Sequence, residues 1–379
     1  MTGLVRLAFA AFFFFYFTYI GLMSPYASLY FSSLHYSAIE IAALMSMFQI
    51  TRILGPFAWG WLADVRRDRL GIIRATSLLA CVIFSAIFYL ESYWALLVWM
   101  FLLNTVISSL MPLGEAATIH ALYKDNTFDQ RYGRLRLWGS IGFIVMVMGA
   151  GAWFEAQGIQ SLPWFGMAAL VILAILSRTL KEPPMEATHQ VTTSFWHILN
   201  EHPVRWFLSA NFWMIFGHAA LYVFYSLYLD RLGYSKAEIG LFWMLGVLAE
   251  VVFFYFQNSF FKRFSTRNIL MASYLIMALR FMMIAYWPNT VALIIAQIMH
   301  AATFGAHHSA SLKMLQKWFT GHLQARGQAL YTTVSYGIGG TVGGLVAGWV
   351  WETWGPEHVF GLAAVSGLIG FLCMKQVKA

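Results

Sequence analysis

Charge is scarce in this chain. Lys, Arg, Asp and Glu make up 11% of its 379 residues, whereas soluble domains carry about a quarter. Cysteine is scarcer still. Cys81 and Cys373 are the only two, which leaves no basis for a disulfide framework or a Cys-based metal site. Amphipathic periods, which a soluble core of this length would show, are replaced by apolar runs. Long polar stretches are missing as well, apart from one at 181–203. These gaps exclude an ordinary soluble enzyme.

What remains is 60% hydrophobic and 18% aromatic. Apolar runs of roughly 20 residues follow one another, each long enough to cross about 30 Å of hydrocarbon. Lipid offers backbone groups no partner, so such runs must be helices. The sequence predicts twelve, at roughly 6–32, 36–63, 70–90, 93–123, 131–155, 162–180, 203–231, 236–262, 267–287, 290–318, 323–353 and 357–375. The first is too long for a signal-peptide core and lacks a clear cleavage site, so it reads as a spanning helix.

The net charge of +8 does not point to nucleic acid. Arg66, Arg67, Arg69 and Arg74 follow the second segment, Lys124, Arg131 and Arg134 sit between the fourth and fifth, and Lys262, Arg263 and Arg267 follow the eighth. Lys317 and Arg326 follow the tenth, and the opposite loops hold only Arg231 and Lys236. By the positive-inside rule both termini face the cytoplasm. The expectation is a monomer in the lipid bilayer of a bacterial inner membrane.

The chain also repeats itself. "YSAIEIA" begins at 36 and "YSKAEIG" at 234, 198 residues later. At that offset Glu40 meets Glu238, Arg52 meets Glu250, Arg69 meets Arg267 and Glu115 meets Lys313. The seam is "KEPPMEATHQVTTSFWHILNEHP". The expected organisation is a six-helix bundle over 1–180, a cytoplasmic linker over 181–202 and a second bundle over 203–379. Parallel repeats of this kind are typical of transporters, with the site near the midplane between the halves. The charges differ at equivalent positions, so the fold is symmetric while the chemistry is not.

Several motifs resemble the major facilitator superfamily. "GWLADVRRDR", 60–69, is similar to its loop motif, with Gly60, Asp64, Arg66 and Arg67 in place. "PLGEA", 112–116, and "YGRLRLWGS", 132–140, resemble the branch of lactose permeases, nucleoside–proton symporters and 3-phenylpropionate permeases. "LYLDRLGYSKAEIG", "VLAEVVFF" and "KRFSTRNIL" are most similar to the 3-phenylpropionate permease group. The resemblance spans nearly the whole chain. It implies an all-α membrane protein of twelve helices in two pseudo-symmetric bundles, and proton-coupled uptake by alternating access.

By resemblance, Glu115 and Arg136 stand where lactose permeases hold sugar. Seven residues on, Phe143 replaces a stacking Trp and loses its indole N–H, which suits an apolar aromatic solute. The alternative for Glu115 and Arg136 is a structural ion pair, since intramembrane charges either line a pathway or pair. Asn104 and Ser108 share roughly one helical face with Glu115, at spacings of four and seven. Tyr19 and Tyr26 belong to an aromatic stripe on the first helix, and His218 and Tyr222 to one on the seventh. Some of these rings should touch solute, and the others pack.

Arg280 and His300 match the proton-coupling part of lactose permeases, but the coupling carboxylate position is Thr303, which carries no proton. Glu250, in the eighth helix, is the alternative carrier, placed to reach Arg136, and His300 is the second. His300 and His307, seven apart, suit proton carriage because histidine titrates near pH 6.5. The alternatives are packing, an Arg pair for Glu250 or a metal site of His300, His307 and His308. The last is disfavoured because no acidic ligand sits at helical spacing. Asp64, Arg66 and Arg67 are expected to form a cytoplasmic gate. Arg52 either faces the cavity or contacts the eleventh helix. No cofactor, metal or catalytic residue is expected.

Counting intramembrane charges, Arg52, Arg136, Arg280 and Lys313 oppose Glu115 and Glu250. The positive excess suits an anionic small-molecule substrate, best an aromatic carboxylate, carried with protons. Rival readings are a sugar or nucleoside symporter, a proton-driven exporter and, more remotely, a membrane-embedded enzyme.

Overall fold

The computed structural model describes residues 3–124, 128–183, 195–320 and 323–377, and no strand occurs among them. Helices α1 (Gly3–Ser33), α2 (Ala38–Arg66), α3 (Arg69–Ser85), α4 (Tyr93–Ile107), α5 (Leu110–Lys124), α6 (Phe128–Gln157) and α7 (Leu162–Ser177) come first. A short α8 (Phe195–Leu199) precedes α9 (His202–Arg231), α10 (Lys236–Arg263), α11 (Thr266–Tyr286), α12 (Thr290–Ile298) and α13 (His307–Trp318). The last are α14 (Leu323–Thr332), α15 (Gly340–Trp354) and α16 (Pro356–Lys375). Half of the expected linker, 184–194, lies outside the described residues.

Among the described residues eleven helical spans are long and apolar enough to cross a membrane, with α4–α5 and α12–α13 each forming one broken span. The twelfth expected segment is helical too, as α14 and α15 joined through a π-helical stretch, Thr333–Gly339. Its glycines, among them Gly337, Gly340, Gly343, Gly344 and Gly348, make it less apolar than the rest. They also allow close contact: a Cβ at Gly343 would collide with the Phe216 carbonyl, and one at Gly348 with the Ala42 side chain. Small residues serve this purpose at helix contacts in membranes.

The sequence repeat turns out to be a repeated helix junction. Ser37 N–H donates to Glu40 Oε2 at 2.9 Å while Glu40 N–H donates back to Ser37 Oγ at 3.3 Å. Ser235 and Glu238 do the same at 2.8 and 3.2 Å. Each is a capping box closing a helix N-terminus. The preceding helix ends alike in both places, with Tyr36 N–H bonded to Phe31 O and Tyr234 N–H to Leu229 O. That closure needs a residue in the left-handed region. Gly233 supplies it at φ 87°, and His35 supplies it at φ 67°.

Arginines repeat by function and not by position. Arg267 donates to the carbonyls of Lys375 and Val377, closing the end of α16. The residue that closes the end of α7 is Arg74, bonded to Ser177 O and Leu180 O. Arg69, the expected counterpart of Arg267, instead meets Glu182 at 2.5 Å, where His120 also bonds at 2.9 Å.

Packing divides the chain into two compact units. The first comprises Met1–Tyr36, Leu54–Ala187 and Leu229–Met244, and the second Ser37–Ile53, Thr188–Tyr228 and Leu245–Ala379. The compact units therefore differ from the repeat halves, because α2 and α10 are each divided between them. Within the first unit α1 packs on α6 and α7, and α3 packs on α4, α5 and α7. Within the second, α11 packs on α13 and α16, and α15 on α16.

Candidate functional site

In the first unit the span 93–123 breaks at Ser108–Ser109. Pro112 lacks the N–H that would bond the Ser108 carbonyl, and the hydroxyls of Ser108 and Ser109 turn back onto Thr105 O and Val106 O. The break opens α5, which carries Glu115. Arg136, on α6, reaches it with Nε 3.4 Å from Oε1. Tyr132, one turn before Arg136, donates its hydroxyl to the same oxygen at 3.3 Å. The guanidinium lies over the Phe17 ring at 4.2 Å, a cation–π contact. Gly139 makes room for this stack, since a Cβ there would stand 2.7 Å from Phe17 and 2.9 Å from Arg136. Glu115 and Arg136 side chains are 34% and 33% exposed, so the pair is held but not sealed.

The residues expected beside it are placed differently. Asn104 lies on the other side of the helix break and donates to Met100 O on its own helix, so the argument from continuous helical spacing does not hold. Tyr19 is buried against Phe84, and Tyr26 donates its hydroxyl to Val147 O at 2.7 Å. Both rings pack between helices. Phe143 is buried, with its ring 6.5 Å from that of Trp243.

The second unit holds a longer chain of polar groups. Arg280 is fully buried on α11. Its Nε donates to Ala296 O, NH1 lies 2.9 Å from His300 Nδ1 and 3.1 Å from Thr303 Oγ1, and NH2 meets Gln297 Oε1. His300 Nε2 stands 2.7 Å from Glu250 Oε1. A guanidinium can only donate. His300 Nδ1 is therefore the acceptor and Nε2–H donates to the carboxylate. Arg280, His300 and Glu250 form a directed chain in which Arg280 donates, His300 accepts and donates in turn, and Glu250 accepts. Glu250 belongs to the second unit and bonds His300 there.

Thr303, at the missing carboxylate position, accepts from Arg280. His218 joins the same cluster, with Nδ1 2.9 Å from Met214 O and Nε2 3.4 Å from both Thr303 and Arg280. Tyr222 lies one turn on, its ring 6.3 Å from that of His218. A π-helical stretch, Ala301–Ala306, follows His300. Such turns interrupt α-helices at functional sites, and here it re-aims the two histidines expected on one face. His307 bonds Ser273 and Asn211, each at 2.9 Å, in a separate buried cluster with Ser311. No group of three His, Cys, Asp or Glu able to hold a metal occurs among the described residues.

Around the loop motif, Asp64, Arg66 and Arg67 are exposed. α2 ends at Arg66, and Arg67 takes a left-handed φ of 52°. The acid with a structural task there is Asp68, which caps α3 by accepting from Gly71 N–H at 2.7 Å.

Sequence reasoning passed over Tyr132, Phe17 and Trp243. Tyr132 was findable, four residues before Arg136. Phe17 and Trp243 were not, because nothing in their own segments distinguishes them from other aromatic residues.

Paired and buried charges within many apolar helical spans are what a solute transporter needs. Residues 6–362 match the MFS_1 like family, and the chain belongs to it. A probable 3-phenylpropionic acid transporter of Escherichia coli is 29% identical over 96% of this chain and 97% of its own. The maltose permease of Geobacillus stearothermophilus is 25% identical over 97% and 93%. Among solved structures, the nucleoside transporter NupG superposes with a TM-score of 0.88 at 18% identity, covering 99% of this chain and all of its own. The relatives are transporters and not enzymes.

Proposed function

We propose that this protein imports a small organic anion, best an aromatic monocarboxylate, together with protons by alternating access. The observation that carries the proton coupling is the Arg280–His300–Glu250 chain. His300 already places a hydrogen on the line to Glu250. A proton arriving at Glu250 makes it a second donor facing the first, unless it binds the other oxygen. It also removes the negative charge that holds the chain in register. Protonation thus loosens one cluster at a defined point, and a neutral carboxyl is cheaper to move through a low-dielectric environment than a carboxylate. His300 is the second candidate carrier, with His307 in a separate buried cluster.

The aromatic-acid substrate is supported by the likeness to the 3-phenylpropionic acid transporter and by the positive excess of intramembrane charge. Glu115 and Arg136 act as a solute-binding pair, since a pair one-third open can exchange partners with a ligand. Asp64, Arg66 and Arg67 gate the basic-loop side, and both termini lie in the cytoplasm of a bacterial cell, the protein acting as a monomer in the inner membrane. The likeness to a maltose permease supports a sugar symporter as the second reading.

The test is uptake into proteoliposomes. An inward proton gradient should drive accumulation of 3-phenylpropionate, and collapsing it with a protonophore should abolish accumulation. Accumulation of maltose or uridine but not of the acid sinks the aromatic-acid reading. Accumulation indifferent to the protonophore sinks the proton.

A further inference from the structure

The membrane-spanning charges pair unevenly. Arg136 is matched by Glu115, and Arg280 by Glu250 through His300. Arg52 and Lys313 have no carboxylate within 4 Å among the described residues. Lys313 lies over the Phe261 ring at 4.2 Å, and it is Arg52 that has unsatisfied buried polar atoms on the stretches around it. Its neighbour is the ring of Tyr336 on the π-helical stretch, 5.6 Å from the guanidinium carbon. Arg52 is exposed, while Tyr336 and Tyr222 are half-buried. Tyr222 and Tyr336 each lie within electrostatic reach of both Arg52 and Glu250.

The backbone around Arg52 is built and not loose. Ile53 O accepts from Thr333 Oγ1 at 3.1 Å, and Gly337 lets that stretch approach Ile53 closely. One turn before Arg52, Gln49 Oε1 is buried without a hydrogen-bond partner, as is Ser335 Oγ beside Tyr336. An unmatched guanidinium at membrane depth, next to tyrosine rings and unsatisfied polar atoms, is a functional site in waiting.

We infer that Arg52 is an anion-binding residue of this transporter, taking the carboxylate of an organic acid whose apolar body lies against Tyr336 and Tyr222. The planar fork of arginine matches a carboxylate in two bonds, and aromatic faces suit an aromatic body. The aromatic half of this assignment rests on the reading under Proposed function, whereas the anion half rests on Arg52 alone. Arg52 occupies the repeat position of Glu250. One repeat thus holds the substrate charge where the other holds the proton.

The experiment measures affinities of purified protein in detergent for two matched pairs, 3-phenylpropionate with 3-phenylpropionamide and hexanoate with hexanamide, alongside uridine and maltose. Wild type should prefer an acid over its amide by about tenfold or more, the size of a charged hydrogen bond. Arg52→Gln should bind acid and amide alike. Arg52→Lys, which keeps the charge but not the fork, should keep part of the preference and also serves if the Gln variant does not fold. Lys313→Gln removes another intramembrane charge and should leave the preference intact. If Arg52→Gln still prefers the acid, the inference is overturned while the aromatic-acid reading stands. If hexanoate binds with an Arg52-dependent preference and the phenyl acid does not, Arg52 stands and the aromatic reading falls. Binding of uridine or maltose with no acid overturns both.

Discussion

The Glu115–Arg136 pair and the Arg280–His300–Glu250 chain use the same charges in different surroundings. The first is one-third exposed, and its arginine lies over a ring. The second has an arginine with no exposure and a carboxylate only 15% exposed. An open pair is weakly held and can trade partners. A buried one is costly to break, because removing one member strands the other away from water. Charge content alone would make the two regions equivalent. Burial separates a site suited to changing ligands from one suited to registering a single proton.

The hardest way to break that contrast is Glu250→Gln. This variant imitates the proton-loaded carboxyl permanently, so it should exchange 3-phenylpropionate across proteoliposome membranes yet show no uphill accumulation. Normal accumulation would make Glu250 structural and pass the role to the histidines. His300→Gln, which keeps a polar group beside Arg280, should retain partial accumulation.

Arg280→Met tests burial directly. It leaves Glu250 and His300 without their cation and should cost about 3–5 kcal/mol of stability, read as a lowered unfolding midpoint in detergent. A loss below about 1 kcal/mol would show that the chain does not depend on its cation. Arg136→Lys should behave oppositely. The exposed pair contributes about 0–1 kcal/mol, so stability should hardly move, while solute affinity falls because the fork and the stack on Phe17 are lost. Unchanged affinity with lowered stability would reassign the pair to a structural role.

Asp64→Asn should slow transport at unchanged solute affinity, and loss of binding counts against a gate. The smallest effect belongs to the repeated junction. His35→Gly should stabilise, and Gly233→His should destabilise by roughly 1–2 kcal/mol, the cost of a left-handed conformation for a residue with a Cβ. Equal melting of all three proteins would mean that the two turns carry no strain.

Much of the architecture was legible. The apolar runs had to be helices, and Ser37–Glu40 with Ser235–Glu238 announced the same junction twice. The pairing of Glu115 with Arg136 was expected from the resemblance to lactose permeases, and the two side chains lie 3.4 Å apart. Helical spacing could not foresee the break between Asn104 and Glu115, although Pro112 and two serines encode it. Nor could it tell that Tyr19 and Tyr26 are buried between helices, because aromatic stripes that pack and those that bind have the same period. The π-helical stretch after His300 left no mark in the sequence, and it decides that His307 bonds Asn211 and Ser273 while His300 bonds Glu250.

By itself the sequence determined a twice-written helical membrane chain with an excess of intramembrane positive charge, because length, hydropathy and charge are properties of residues in order. Only the tertiary structure decided which charges cancel. Electrostatic pairing depends on separations of a few ångströms between residues far apart in the chain, such as Arg280, His300 and Glu250. Those separations, and not residue type, left Arg52 beside Tyr336 and Lys313 beside Phe261 with no carboxylate within 4 Å among the described residues.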